Sequence, residues 1–132
     1  MKTQKRWLIA CLVLFVVALS TGKGFLVTFA AGRGSLVVFD ANWCASCREV
    51  LPIVRDVAGQ NGLSVTEIDV DGQTAPKQAQ SLGLSVPNEE PPQVYYVNRG
   101  RATLIYNGKG FKFGSGDAVR ATLLQNLQRV LQ

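Results

Sequence analysis

Leu36-Val37-Val38-Phe39, followed by Trp43-Cys44-Ala45-Ser46-Cys47, is the stretch on which the fold turns. The first four residues are short, apolar and β-branched or aromatic, as in a buried strand, and the turn signal Gly32-Arg33-Gly34 precedes them. From Cys47 to Ala58 the periodicity becomes helical, with Val50, Leu51, Val54 and Val57 or Ala58 on one side. Gln60-Asn61-Gly62 supplies the stop. The cysteine pair therefore stands where a strand gives way to a helix.

Outward from that pair the pattern continues. Val65 to Val70 alternates as a second strand, with Ile68 and Val70 on one face and Glu67 and Asp69 on the other. Ala75 to Leu82 reads as a short helix ending at Gly83. Val94 to Val97 is a third strand, and Asn98-Arg99-Gly100 turns it into Ala102 to Tyr106 as an antiparallel hairpin. Asp117 to Leu131 closes the chain as an amphipathic helix, with Asp117 as cap and Val119, Leu123, Leu127 and Val130 as its apolar stripe. Strands alternating with helices predict an α/β fold with a mixed central sheet flanked by helices.

The spacing of the cysteines carries chemistry. Residues i and i+3 share a helix face, so two sulfurs can bond with little backbone movement. If Cys44 opens the helix, unpaired backbone N–H groups and the positive end of the dipole favour its thiolate, the nucleophilic form. Cys47, one turn deeper, is then shielded and resolves the mixed disulfide. Zinc or iron–sulfur ligation needs four soft ligands, whereas the chain has no histidine and only three cysteines, so no metal is expected. A structural disulfide closing so short a loop would constrain the unfolded chain little. A Cys-x-x-Cys near a β/α pattern points to redox work.

The 132 residues suffice for one domain. The formal charge of +5 is concentrated at the N-terminus, where Lys2, Lys5, Arg6 and Lys23 lie. From Gly32 onward ten Lys/Arg face nine Asp/Glu, a balance that argues against nucleic acid as a partner. Positive residues ahead of the apolar run Trp7 to Leu19 mark residues 1–31 as an export segment and residues 32–132 as the exported domain. Two readings of that segment stand. Thirteen helical residues span roughly 20 Å, short of a membrane core of about 30 Å, which suits a cleavable signal peptide. An uncleaved anchor from Trp7 to about Ala31 would use Phe25 to Ala31 as well, at the cost of enclosing Lys23. Leu8-Ile9-Ala10-Cys11 looks like a lipoprotein cleavage site, but most of the apolar run follows Cys11.

From about Ser35 to Leu131 the chain resembles the thioredoxin-fold family. The resemblance rests on Phe39, Ala41, Trp43-Cys44-x-x-Cys47 and Pro52, then Asp69-Val70-Asp71, a proline opening the next strand, Gly100 and Gly108. It is similar in particular to membrane-tethered or secreted bacterial members, which face the periplasm or thylakoid lumen. The resemblance implies that Cys44 attacks and Cys47 resolves, that Trp43 shapes the rim, and that Pro52 aims the dithiol. It also implies that Pro92, as a cis proline, lines the substrate groove. No cofactor is implied, because the dithiol carries the electrons. Implied partners are protein thiols or disulfides and a membrane thiol reductant transporter.

The chain departs from the family pattern at several positions. The buried aspartate six residues before the first cysteine is Val38 here, and the lysine on the neighbouring strand is Glu67. Two readings of Glu67 follow: a partly buried proton acceptor for Cys47, or a solvated strand residue. Pro91 stands where members offer a backbone N–H to the substrate, and proline has none. The connection from Leu84 to Pro91 is several residues longer than usual and carries Glu89 and Glu90, which would favour a basic partner or simply face solvent. Ala45 and Ser46 replace both the histidine of strongly oxidising relatives and the Gly-Pro of reducing ones, and a moderately reducing couple is expected. Phe111-Lys112-Phe113 lengthens the chain before the last helix, to fill the core edge or to dock a partner.

Two functions fit this sequence. One is an exported thiol–disulfide oxidoreductase exchanging disulfides with protein partners, expected to be the reducing member of the exchange. The other is a thioredoxin-fold binding or assembly module whose dithiol is not essential.

Overall fold

A computed structural model describes residues 33–132; expectations for residues 1–31 as signal or anchor lie outside the described residues. The elements run β1 (Ser35–Asp40), α1 (Ala45–Gln60), β2 (Ser64–Asp69), α2 (Ala75–Ser81), β3 (Gln93–Asn98), β4 (Arg101–Asn107) and α3 (Gly116–Leu131). No helix among the described residues is long and apolar enough to cross a membrane.

The four strands form one mixed sheet in the order β2-β1-β3-β4. β1 pairs parallel with β2, Val38 opposite Glu67, and antiparallel with β3, Val38 opposite Val94. Flanked on both sides, β1 has Leu36 to Phe39 fully buried, as its continuous apolar run requires. Alternation then divides the core. Leu36 and Val38 face α1 and α3, where Val50, Val54, Val57, Val119, Leu123 and Leu127 close over them. Val37 and Phe39 face α2 through Ile68, Ala75 and Ala79. Phe39 meets Tyr95 edge-on at 5.7 Å between ring centroids. Burying one such side chain contributes roughly 2–3 kcal/mol. This is the thioredoxin-like arrangement, a mixed sheet with helices on both faces.

The β3–β4 turn gives Arg99 and Gly100 φ values of 50° and 75°. Two successive positive φ angles match the right-handed strand twist that a two-residue hairpin needs. A register shift at Val94/Tyr95 leaves Ile105 without a strand partner, so Ile105 and Tyr106 both enter the core on the α1/α3 side. Asn126 of α3 donates to the Ile105 carbonyl at 2.8 Å.

One local detail differs from the sequence reading. The N-cap of α3 is Ser115 and not Asp117, which lies in the first turn. The Ser115 hydroxyl donates to the Lys112 carbonyl and makes no capping bond, so a carboxylate in the first turn complements the helix dipole instead. Pro52 lies inside α1, and the helix continues through it to Gln60.

Candidate functional site

The C-terminal end of β1 delivers the chain directly to the site. Ala41 accepts from the Cys44 N–H at 3.0 Å, turning the chain from strand into helix. Cys44 is the N-cap of α1, with extended φ and ψ of −77° and 100°. Its Sγ accepts the backbone N–H of Cys47 at 3.1 Å, the place a serine or aspartate oxygen takes in an ordinary cap. Cys44 and Cys47 are joined as a disulfide with Cα atoms 5.3 Å apart. Both residues are nearly enclosed, with 3% and 4% exposure, alongside Ala41 and Val70.

Opposite the disulfide lies the Pro91–Pro92 peptide bond, which is cis. The Pro91 carbonyl oxygen sits 3.5 Å from Cys44 Sγ. In the disulfide this is a contact, since the sulfur carries no proton; a thiol at Cys44 could donate across it. Both prolines are buried. Gly108 packs against this corner and donates its N–H to the Pro92 carbonyl at 2.8 Å. A Cβ at Gly108 would lie 2.5 Å from Pro92 Cδ, so only glycine permits the approach.

The loop before the prolines is tied down through Glu89. Its Oε2 accepts from Asn107 Nδ2 at 2.7 Å and from Gln93 Nε2 at 3.4 Å, and Gln93 Oε1 accepts from the Tyr95 hydroxyl at 3.0 Å. Burial, then the nearby Glu89 carboxylate, raises the Tyr95 hydroxyl above its ordinary pKa. Both glutamates of this loop are exposed, and Glu89 also braces it against β3 and β4.

A groove of about 640 Å³ runs alongside the dithiol. Cys44 lines it and Cys47 does not; Trp43, Glu90, Pro91, Phe111 and Phe113 form much of its wall. The Trp43 indole N–H donates to Asp71 Oδ2 at 2.6 Å, fixing the ring on the rim.

Two carboxylates near the sheet, Glu67 and Asp40, have different surroundings. Glu67 faces Arg55 of α1, accepting from Nε at 2.8 Å and lying 2.6 Å from the second nitrogen. It makes no hydrogen bond with either cysteine. Asp40, at the end of β1, is the carboxyl that sequence reading passed over. Alternation places it on the side of Leu36 and Val38, under α1. Burial, then repulsion from Glu67 and Asp69, raises its pKa above the ordinary value, against its own backbone hydrogen bond and Arg55. The signal was available: Asp40 stands two residues beyond Val38, hence on the same face of the strand. Among the described residues no group of three or more His, Cys, Asp or Glu side chains gathers as a metal site.

No curated protein matches the sequence. Among solved structures, the chain is similar to thioredoxin O2 from Arabidopsis thaliana in its oxidized state. The identity is 15%, the match covers 69% of this chain and 72% of that chain, and the TM-score is 0.45. A family model described as "TraF: F plasmid transfer operon protein" matches residues 23–112, more than half of the sequence and all of it from β1 through β4. The chain, with its thioredoxin-like fold and Cys44–Cys47 pair, belongs to the TraF family.

Proposed function

We propose that the protein is an exported thiol–disulfide oxidoreductase that exchanges disulfides with protein partners and works mainly as the reductant. The observation that carries this reading is the position of Cys44: helix N-cap, disulfide partner of Cys47 and, of these two, the cysteine that lines the groove. In the reduced protein the Cys44 thiolate attacks a partner disulfide, forming a mixed disulfide and releasing one partner thiolate. Cys47 then attacks the Cys44 sulfur, the second partner thiolate leaves, and the Cys44–Cys47 disulfide is restored. Two electrons pass to the partner, and two protons follow from the dithiol to the released thiols. Helix N–H groups favour the thiolate at Cys44. Trp43, Pro91 and Pro92 frame the partner chain.

The Cys47 proton needs an acceptor. Glu67 was the sequence candidate; its ion pair with Arg55 favours Asp40, whose partly buried carboxyl has a raised pKa and can hold a proton. Export is supported by the positive residues and apolar run within residues 1–31, as a signal peptide or anchor. The electron source in this proposal is a membrane thiol reductant transporter. The family takes its description from an F plasmid transfer operon, and partners made from such an operon are part of the proposal.

The test is equilibration of the full chain against thiol buffers with the state of Cys44 and Cys47 read by mass. A potential near about −270 mV is expected for a reductant, and one above about −180 mV would reverse the proposed direction. A pair that never cycles would overturn the enzyme reading. The second reading, a binding or assembly module, is favoured by Pro91, which offers no N–H to an extended partner. Full function in a Cys44→Ser, Cys47→Ser double variant would establish it.

A further inference from the structure

We propose that the groove beside Cys44 selects partners by side chain. It takes an extended, cysteine-bearing polypeptide segment with a large apolar residue next to the cysteine, seated between Trp43 and Phe113. A basic residue of the segment lies on the Glu90 side. This rests on the oxidoreductase reading above and adds to it the class of segment that is exchanged.

Four large apolar side chains stand exposed among the described residues: Trp43, Leu104, Phe113 and Leu131. Two of them, Trp43 at 60% and Phe113 at 67%, line the groove beside Cys44. Both rings are held from behind. Asp71 fixes Trp43. Phe113 stands edge-on against Phe111 at 5.3 Å, and Phe111 packs on the main core. The next residue, Gly114, donates its N–H to Glu49 of α1 at 3.1 Å, stapling the loop to the helix that carries the dithiol. Rings braced in advance lose little freedom when a third group packs against them.

The backbone side of the groove is poor by comparison. Pro91 presents a carbonyl but no N–H, so an extended segment cannot complete a two-way backbone pairing there. Recognition then falls to side chains. Charge sets the direction of the segment. Glu89 is already engaged by Asn107 and Gln93, whereas Glu90 lines the groove on the loop side and Lys109 lines it on the β4 side. A basic residue is attracted toward Glu90 and repelled from Lys109.

The test uses the reduced full chain and short peptides, each with one cysteine held as a mixed disulfide with glutathione. The reaction consumes the protein dithiol and one peptide–glutathione disulfide, and yields the protein disulfide, the peptide thiol and glutathione. Peptides with Phe before or after the cysteine are compared with Ser-flanked ones, each with Lys or Glu at the far side, and glutathione disulfide sets the reference rate. At least one Phe-flanked peptide should react about tenfold faster than its Ser counterpart. Phe113→Ser should bring that ratio close to one, while Leu104→Ser, outside this groove, should leave the ratio as in the parent. The Lys peptides should outpace the Glu peptides, and Glu90→Gln should erase the difference. Equal rates for all peptides, with glutathione disulfide still reacting, would overturn the groove proposal alone. A protein inert to glutathione disulfide would overturn the oxidoreductase reading alone. In that event calorimetric binding of the same peptides with serine for cysteine decides the groove: preference for Phe upholds it, and none overturns it.

Discussion

The indole N–H of Trp43 donates to Oδ2 of Asp71 across 2.6 Å, joining the residue before the first cysteine to the residue two past the end of β2. The bond crosses from one parallel strand's exit to its neighbour's. It fixes a ring that burial does not fix, since Trp43 is mostly exposed. Asp71→Ala should therefore slow reduction of a protein disulfide several-fold and cost about 1 kcal/mol of stability or less. Asp71→Asn, which keeps an acceptor oxygen, should recover most of the rate. Stopped-flow rates together with Tm check this; an unchanged rate in Asp71→Ala would remove Trp43 positioning from the mechanism.

Trapping separates the roles of the two cysteines. Cys47→Ser should leave Cys44 joined to a partner cysteine, because nothing remains to resolve the mixed disulfide. Cys44→Ser should trap nothing. Mass mapping of the adduct in the full chain distinguishes Cys44 from Cys11, and an adduct on Cys47 in the parent protein would reverse the assignment.

Gly108→Ala places a methyl group against Pro92 Cδ and the Pro92 carbonyl, at 2.5 and 2.9 Å before relaxation. The end of β4 and the proline corner must then separate. A loss of about 1–3 kcal/mol is expected, as for other overpacked sites, with slower exchange because the same corner faces Cys44. Thermal unfolding and the exchange rate should fall together; a stable, fully active Gly108→Ala protein would contradict this packing.

Asp40 supplies a pH dependence with a definite sign. Burial, with Glu67 and Asp69 nearby, raises its carboxyl, so the protonated form suits the folded state better than the charged one. That contribution is present at low pH and is lost as the pH rises through the folded-state pKa. Asp40→Asn should be more stable than the parent at neutral pH, and the gap should close as the pH falls below the ordinary carboxylate range. Denaturant melts across pH test it, and a gap that widens in acid would refute it.

The same variant bears on proton transfer. Asp40→Asn should remove the Asp40-linked part of the pH dependence of dithiol oxidation, whereas Glu67→Gln should lose the Arg55 pair and only shift that part to lower pH, because the Glu67 charge helps raise the Asp40 carboxyl. An exposed pair of this kind is worth under about 1 kcal/mol. If the profile follows Glu67 instead, the sequence candidate is the acceptor.

Most of the architecture was legible because local pattern and tertiary context agree along this chain. The apolar run of β1 is continuous because two strands and two helical layers enclose it. Asn98-Arg99-Gly100 carried its hairpin in its turn chemistry. That the doubled proline faces the Cys-x-x-Cys pair was implied by the family resemblance and not by either motif alone. What stayed hidden depends on contacts distant in sequence. Arg55 and Glu67 meet only because α1 packs over β2, and Glu89 is a strut only because Asn107 and Gln93 lie beneath it. The cap of α3 misled for a local reason: Ser115 spends its hydroxyl on the preceding turn.

The start of the domain is latched at the far pole of the sheet. Tyr96 donates its hydroxyl to the Arg33 carbonyl at 2.7 Å, Asn98 donates to that hydroxyl at 3.1 Å, and Gly34 lies flat against the Tyr96 ring with a φ of 87°. From there β1 must run its whole length, about 20 Å, before the chain reaches the cysteines. Residue 33 and the groove at Cys44 thus stand at opposite ends of one strand. Substitutions at the latch between Arg33 and Tyr96 can therefore alter how the first strand begins without touching the wall of the groove.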